Sequence, residues 1–343
     1  MKPRERILRH LRGEPVDHLP AMPITMMFAA DRLGISYREY VSDHRVLAEA
    51  QVFTARKFGF DYVSVISDPA REAADLGAPI QWFDDQPPAL IEEASLLRDK
   101  ATLKTLTIPE PSAGGRMADR IRGVRRLREL VGDEFLVEGW IEGPAAQAAD
   151  LRGVNRLMSD LVDDPAFVDE LMDFVVELEL RFAAAQIEAG ADLIGIGDAA
   201  ASLIGPRFYE RFVFHRTRRM IEEIHRRGAL VRLHICGRTR KLLPWLARLG
   251  ADILDFDWMV PLDEARSQCG PRQVLLGNID PVSVLRNGTP ALVQEKLEQC
   301  FRQAGPRYIV GAGCEVVRDT PDANVHAMID FARSHRPDDS YSA

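Results

Sequence analysis

The chain of 343 residues has only four cysteines, Cys236, Cys269, Cys300 and Cys314. They are too few and too scattered for a disulfide scaffold, which leaves free thiols for metals or chemistry. No apolar run approaches the roughly 18 residues of a membrane span. The opening Met1-Lys2-Pro3-Arg4-Glu5-Arg6 leads into an amphipathic stretch, without the apolar core of a signal peptide. A cytoplasmic protein with no membrane association is expected. Positive charge is not in excess either. Asp and Glu outnumber Lys and Arg by 52 to 44, for a net charge of −8. Phosphate binding needs a basic surface, so nucleic acid is not the expected partner. No internal repeat, low-complexity tract or linker divides the sequence, so a single domain over residues 1–343 is expected.

What the sequence does have is alternation. Eight short apolar runs lie at 20–27, 62–66, 135–141, 192–196, 230–235, 253–256, 273–277 and 307–311. Most are rich in Val, Ile and Leu on both faces, as a buried parallel strand requires. Helix-period segments separate them at 46–58, 116–131, 207–227, 238–249, 290–304 and 322–334. Gly205-Pro206 opens the helix at Arg207, Gly228 follows its end, and Thr289-Pro290 reads as N-cap then first helical residue. Strand–helix alternation predicts an α/β fold, and eight units at this length predict a (β/α)8 TIM barrel. No Gly-x-Gly-x-x-Gly follows the first run, which counts against an open dinucleotide-binding sheet. Segment 68–112, with Asp84-Asp85, Pro87-Pro88, Pro109 and Pro111, has no clear helix. It is expected to be a long excursion after the second strand, a lid or hairpin insertion. Segment 151–189 is long enough for two helices, broken at Asp163-Asp164-Pro165.

The active site of such a barrel lies at the C-terminal ends of its strands. Those ends carry Asp68, Glu138, Glu142, Asp198, His234, Cys236, Asp255, Asp257, Asn278, Asp280, Cys314 and Glu315. The sharpest constellation is His234-Ile235-Cys236, with Cys314 78 residues later. Residues i and i+2 of a strand share a side, so His234 and Cys236 face the barrel mouth together. Barrel closure would bring Cys314 to them. A lone His-x-Cys is ordinarily packing, but a second thiol at another strand end points to metal. Two thiolates and one imidazole suit zinc and leave one position open for catalysis. Cys269 and Cys300 fall in helical periods and read as structural thiols.

The carboxylates are weighed in the same way. Asp198, in Gly195-Ile196-Gly197-Asp198, follows a buried strand and is expected in a substrate or metal role. Glu138 and Glu142 flank Gly139-Trp140-Ile141, where one could act as a further ligand or an acid/base. Asp280, in Gly277-Asn278-Ile279-Asp280-Pro281, reads equally as a turn former or helix cap. Asp255 and Asp257 read as solvated strand-end acids.

These residues resemble the uroporphyrinogen decarboxylase superfamily and, within it, the corrinoid-dependent methyltransferase branch. The opening Pro3-Arg4-Glu5-Arg6-Ile7-Leu8 with Leu11-Arg12-Gly13-Glu14-Pro15-Val16-Asp17 is similar to the family's N-terminal helix and turn. So are the strand-end pieces Glu142-Gly143-Pro144, Gly197-Asp198, Gly277-Asn278-Ile279-Asp280-Pro281 and Gly313-Cys314-Glu315 with Asp319-Thr320-Pro321. Together they span nearly the whole chain. The resemblance implies a zinc site on His234, Cys236 and Cys314, a motif that the decarboxylases lack. The decarboxylases also carry an Arg-containing loop after the first strand, whereas here 23–30 reads Pro-Ile-Thr-Met-Met-Phe-Ala-Ala. A porphyrinogen with eight carboxylates would need cationic groups there.

The expected activity is methyl transfer from a methylated corrinoid to a thiol of the coenzyme M type, or to a related acceptor such as a reduced folate. Asp198 and Glu142 would be catalytic. Glu138, Arg232, Asn278, Asp280 and Met26 would contact substrate, Arg232 as a partner for a sulfonate or carboxylate. No Asp-x-His-x-x-Gly cobalt-binding motif is present, so a separate corrinoid protein is the expected methyl donor. The expectation leaves a homodimer open. The alternatives are a decarboxylase-like lyase and a non-catalytic barrel that binds a corrinoid or tetrapyrrole.

Overall fold

Parallel strands with Val, Ile and Leu on both faces must be covered on both sides, and seven of them build one curled sheet here. The computed structural model describes residues 1–341, and the last two of the 1–343 span expected as one domain lie outside the described residues. The strands are β1 (Tyr62–Ser64), β2 (Leu136–Glu142), β3 (Leu193–Gly197), β4 (Leu230–Ile235), β5 (Ile253–Phe256), β6 (Val274–Leu276) and β7 (Tyr308–Ile309). They neighbour one another in chain order, every pair parallel. All residues of β2, β3 and β5 are buried. No described helix is long and apolar enough to cross a membrane.

The register decides what meets at the sheet's C-terminal edge. Glu142 pairs with Gly197, Gly197 with His234, and His234 with Asp255. One step below, Trp140 pairs with Gly195 and Gly195 with Arg232.

The segment expected as the first strand, 20–27, forms no strand ladder. Ala21 bridges Val310, the Met22 N–H donates to Val310 O at 2.9 Å, and the Asp61 N–H donates to Ala21 O at 3.0 Å. The segment therefore bonds to the strand edges at both β1 and β7. Pro20 and Pro23 have no N–H to give, which keeps the pairing to single bridges. Met27 already opens the helix Met27–Leu33. The expected helix 238–249 is likewise reduced to two short turns, Arg240–Leu242 and Leu243–Leu246. Pro244 cannot supply the N–H that would continue the first turn into the second. The helix expected at 207–227 widens over Tyr209–Phe214 into a π turn before continuing as His215–Arg226.

Between β1 and β2 the chain forms a helix, Arg71–Asp75, where none was expected, and a small antiparallel hairpin, Ile80–Gln81 with Ala89–Leu90. After β2, the helices Val154–Asp163 and Pro165–Glu188 break at Asp164, whose side chain accepts from the Phe167 N–H at 3.2 Å.

Two glycines of β3 make room for Trp140. A Cβ at Gly195 would overlap the indole, and one at Gly197 would stand 2.9 Å from its ring carbon Cζ2. Gly195→Ala is therefore expected to cost about 1–3 kcal/mol through overpacking. Urea unfolding of the variant against wild type measures it, and an unchanged midpoint would mean that the ring moves freely.

Under the sheet's C-terminal edge lies a buried charged network. Arg232, wholly buried, donates Nε and Nη2 to Asp255 Oδ2 at 3.0 and 2.7 Å and Nη2 to Met22 O at 3.3 Å. Its Nη1 lies 3.4 Å from Glu138 Oε1. Tyr62 donates its hydroxyl to Pro23 O at 2.8 Å. Side chains of β4 and β1 thus take up the Met22 and Pro23 carbonyls, while those of Pro20, Ala21 and Ile24 accept from backbone N–H groups.

Candidate metal centre

Strand alternation places His234 and Cys236 on one side of the end of β4, with Ile235 buried on the other. Cys314 arrives from the turn after β7. That turn passes so close to the Trp258 backbone that a Cβ at Gly313 would overlap it. His234 Nε2 lies 3.0 Å from Cys236 Sγ, and Cys236 Sγ lies 3.6 Å from Cys314 Sγ. The three ligand atoms fall within 4.8 Å of one another. Among the described residues this is the one such group of three His, Cys, Asp or Glu side chains.

Asp255 stands behind the imidazole. Its Oδ2 is 3.0 Å from His234 Nδ1, within ion-pair distance but off the N–H axis, so the contact is chiefly electrostatic. It leaves Nε2 turned toward the sulfurs, the arrangement that carboxylate–histidine–metal sites use to fix the ring. Burial opposes protonation of His234, but Asp255 and the Cys236 sulfur outweigh it and raise its pKa well above the ordinary value. The two thiols share one proton. The hydrogen bond from Cys236, helped by His234, holds the Cys314 thiol at about 4, while the same bond pushes Cys236 up. Two sulfurs and an imidazole nitrogen within 4.8 Å of one another fit a zinc ion, whose charge would displace their protons, with one coordination position left for a substrate.

If Asp255 positions His234, Asp255→Asn should weaken zinc binding by about 10–100-fold, the usual effect of losing such a partner. Competition against a chromogenic chelator reads this out, and unchanged affinity would separate Asp255 from the site.

The three ligands line a cavity of about 180 Å³. Ile24, Met26, Ile66 and Trp140 form its apolar wall, while Asp68, Arg71, Glu142, Asp198 and Glu315 supply its polar groups. A larger cleft of about 360 Å³ lies beside the hairpin and shares Pro69 with this cavity, but it contains none of the three ligands.

Of the residues expected in catalytic or substrate roles, Asp198, Glu142 and Met26 line the cavity. Asp198 Oδ1 accepts the Ala146 N–H at 2.7 Å, and its buried Oδ2 has no partner. Gly143 leaves space for this carboxyl, since a Cβ there would overlap it. Burial pushes Asp198 up to about 7, against the pull of the Ala146 and Ala145 N–H groups. Glu142 accepts from Arg71 Nη2 at 2.9 Å, and burial raises its pKa despite that partner.

The remaining four do not line the cavity. Glu138 and Arg232 belong to the network beneath it. Asn278 donates Nδ2 to Asp257 O and Val260 O at 3.0 and 2.6 Å. Asp280 caps the turn Pro281–Arg286, accepting from the Val282 and Ser283 N–H groups at 2.8 and 3.0 Å.

Asp255 is buried rather than a solvated strand-end acid. An Arg at 232 and a His at 234, on one face of the adjoining strand, were the signal for it. Arg71, Trp140 and Tyr209 went unread. Arg71 sits in a stretch without helical period, and Tyr209 is a buried phenol whose hydroxyl has no partner and whose pKa burial and Asp198 raise.

The Asp198 shift has a measurable sign. A carboxyl whose pKa rises on folding contributes stability that is complete below about pH 4 and is lost as pH rises through about 7. In metal-free protein, the melting temperature of Asp198→Asn minus that of wild type should therefore increase between these pH values. A difference independent of pH would show that Asp198 is ionised throughout.

The uroporphyrinogen decarboxylase (URO-D) family model matches residues 2–335. The chain is 30% identical over 341 residues to methylcobamide:CoM methyltransferase MtbA of Methanosarcina mazei, covering 97% of this chain and 98% of that protein. It is 26% identical over 347 residues to uroporphyrinogen decarboxylase of a Synechococcus species, covering 96% and 92%. A solved methyltransferase from Methanosarcina mazei has the same fold, with a TM-score of 0.88 at 22% identity over 97% of this chain and 98% of that one. The chain belongs to the uroporphyrinogen decarboxylase family.

Proposed function

We propose that this protein is a zinc-dependent methyltransferase that moves a methyl group from a methylated corrinoid, carried by a separate protein, to the sulfur of a small thiol. The observation that carries the reading is the cluster of His234, Cys236 and Cys314 on the wall of a cavity. Its likeness to methylcobamide:CoM methyltransferase MtbA, and at 27% identity to a methylated-thiol–coenzyme M methyltransferase of Methanosarcina mazei, supports the same chemistry. The absence of any Arg from 23–30 weighs against a porphyrinogen substrate. In this reading the chain is one cytoplasmic domain. It is a closed (β/α)8 barrel in which the 20–24 segment is the eighth stave and 68–112 lies over the mouth.

His234, Cys236 and Cys314 would hold the metal, with Asp255 fixing the imidazole. Bound there, zinc supplies the Lewis acidity that lowers a thiol's pKa below its free value of about 8.5. Trp140, Ile24 and Ile66 keep water from the sulfur and hold the acceptor in line with the methyl carbon. The sulfur–carbon bond forms as the cobalt–carbon bond breaks, and that electron pair stays on cobalt as Co(I). Asp198 Oδ2, which no donor reaches, takes up the thiol proton.

An anaerobic single-turnover assay with zinc-loaded protein, methylcob(III)alamin and a thiol tests this. The Co(I) absorbance should appear with one thioether formed per cobalt. Its absence with zinc fully bound would remove the reading.

A further inference from the structure

We propose that the organic part of the acceptor is uncharged, and that this cavity discriminates against the sulfonate of coenzyme M. The inference rests on the methyl-transfer reading above and names the substrate class for that same site.

Ile24, Ile66 and Trp140, with Met26 packed on them, form an apolar cluster separate from the main core, and all four line the cavity. An acceptor whose sulfur lies at the metal ligands would lay its carbon chain on this wall. A buried sulfonate needs fixed positive charge or several free donors. The cavity wall offers one guanidinium against four carboxyl groups.

The charge of that guanidinium, Arg71, is already paired with carboxyl groups, and only its Nε is without a partner. Its Nη2 donates to Glu72 and Glu142 at 3.2 and 2.9 Å, its Nη1 donates to Asp68 O, and the side chain is buried. The sequence pointed to Arg232 as the partner for an acidic group, but neither it nor Arg238 and Arg240, which follow the His-x-Cys pair, lines the cavity. Arg232 is held by Asp255, and Arg240 is paired with Glu264. Among the polar atoms of the wall, Arg71 Nε and Asp198 Oδ2 are left without a partner. A neutral thiol meets apolar surface and needs no counter-charge, whereas a sulfonate would be desolvated where the one cation of the wall is already paired.

The test compares ethanethiol and 2-mercaptoethanol with 2-mercaptoethanesulfonate and 3-mercaptopropionate. Zinc-loaded protein is used, with methylcob(III)alamin as donor, and the binding of each thiol is measured in parallel by calorimetry. The neutral thiols should show kcat/KM and affinity at least about tenfold above the anionic ones. Met26→Lys, which adds an ammonium group to the apolar wall, should shift the ratio toward the sulfonate. Equal or better use of the sulfonate by wild type would overturn the proposal while leaving methyl transfer intact. If no thiol is methylated, the methyl-transfer reading fails on its own. The calorimetric order then decides the charge preference, with tighter neutral thiols supporting it and a tighter sulfonate overturning it.

Discussion

A Cys236→Ser, Cys314→Ser double variant will emerge from zinc reconstitution with background metal and will transfer methyl groups on the order of 10³-fold more slowly than wild type. The magnitude follows from two losses. At pH 7 a free thiol of pKa about 8.5 is only roughly 3% thiolate, which costs about 30-fold. The remainder comes from the lost anchoring of the sulfur opposite the methyl carbon. Both cysteines sit half-buried at the cavity, outside the hydrophobic core, so circular dichroism and melting temperature of the metal-free variant should match metal-free wild type. Elemental analysis and the single-turnover assay measure the two effects together. A variant that kept its zinc would move the metal elsewhere, and one that kept its rate would make the sulfurs irrelevant to the reaction.

Arg232→Ala will lower the free energy of unfolding by about 3–5 kcal/mol, as removing one member of a buried charged network does. The side chain is wholly buried between Asp255, Glu138 and the Met22 carbonyl. Its loss leaves Glu138 without a cationic partner and Asp255 with His234 alone. Glu138 Oε2 already lacks a hydrogen bond, so no spare donor is at hand to compensate. Urea unfolding reads the cost. Arg232→Met combined with Glu138→Gln and Asp255→Asn should recover much of it, because the charges then leave together. An Arg232→Ala protein of normal stability but poor substrate affinity would instead place the guanidinium in acceptor binding.

These two sites also show what the sequence could and could not say. The His234, Cys236 and Cys314 cluster was legible because the pattern that makes a buried parallel strand, a Val/Ile/Leu run ending in polar residues, also fixes which side chains share a face. His234 and Cys236 follow from the period of two, and Cys314 from the same punctuation 78 residues later. Asp198 stood out for the same reason, lying just past a strand with no helix surface to occupy.

What lay beyond reach depends on register and on neighbours distant in sequence. Arg232 shares the inward face of β4 with His234, as alternation requires. Only the pairing of β4 with β5 shows that Asp255 lies close enough to neutralise it below the cavity. Trp140 could be placed only once Gly195 and Gly197 were known to lie beside it. The 20–27 run passes a hydropathy test for a strand, yet its prolines restrict it to isolated bridges. Arg71 belongs to a five-residue helix, too short to announce itself by periodicity.

The measurement closest to the central claim is X-ray absorption at the zinc edge of reconstituted protein, before and after adding a neutral thiol. With His234, Cys236 and Cys314 as ligands, the edge should report two sulfurs and at least one nitrogen, and the thiol should add one further sulfur. A zinc shell of oxygen and nitrogen only, or one that no thiol changes, would contradict the assignment of this cluster as the methyl-transfer centre.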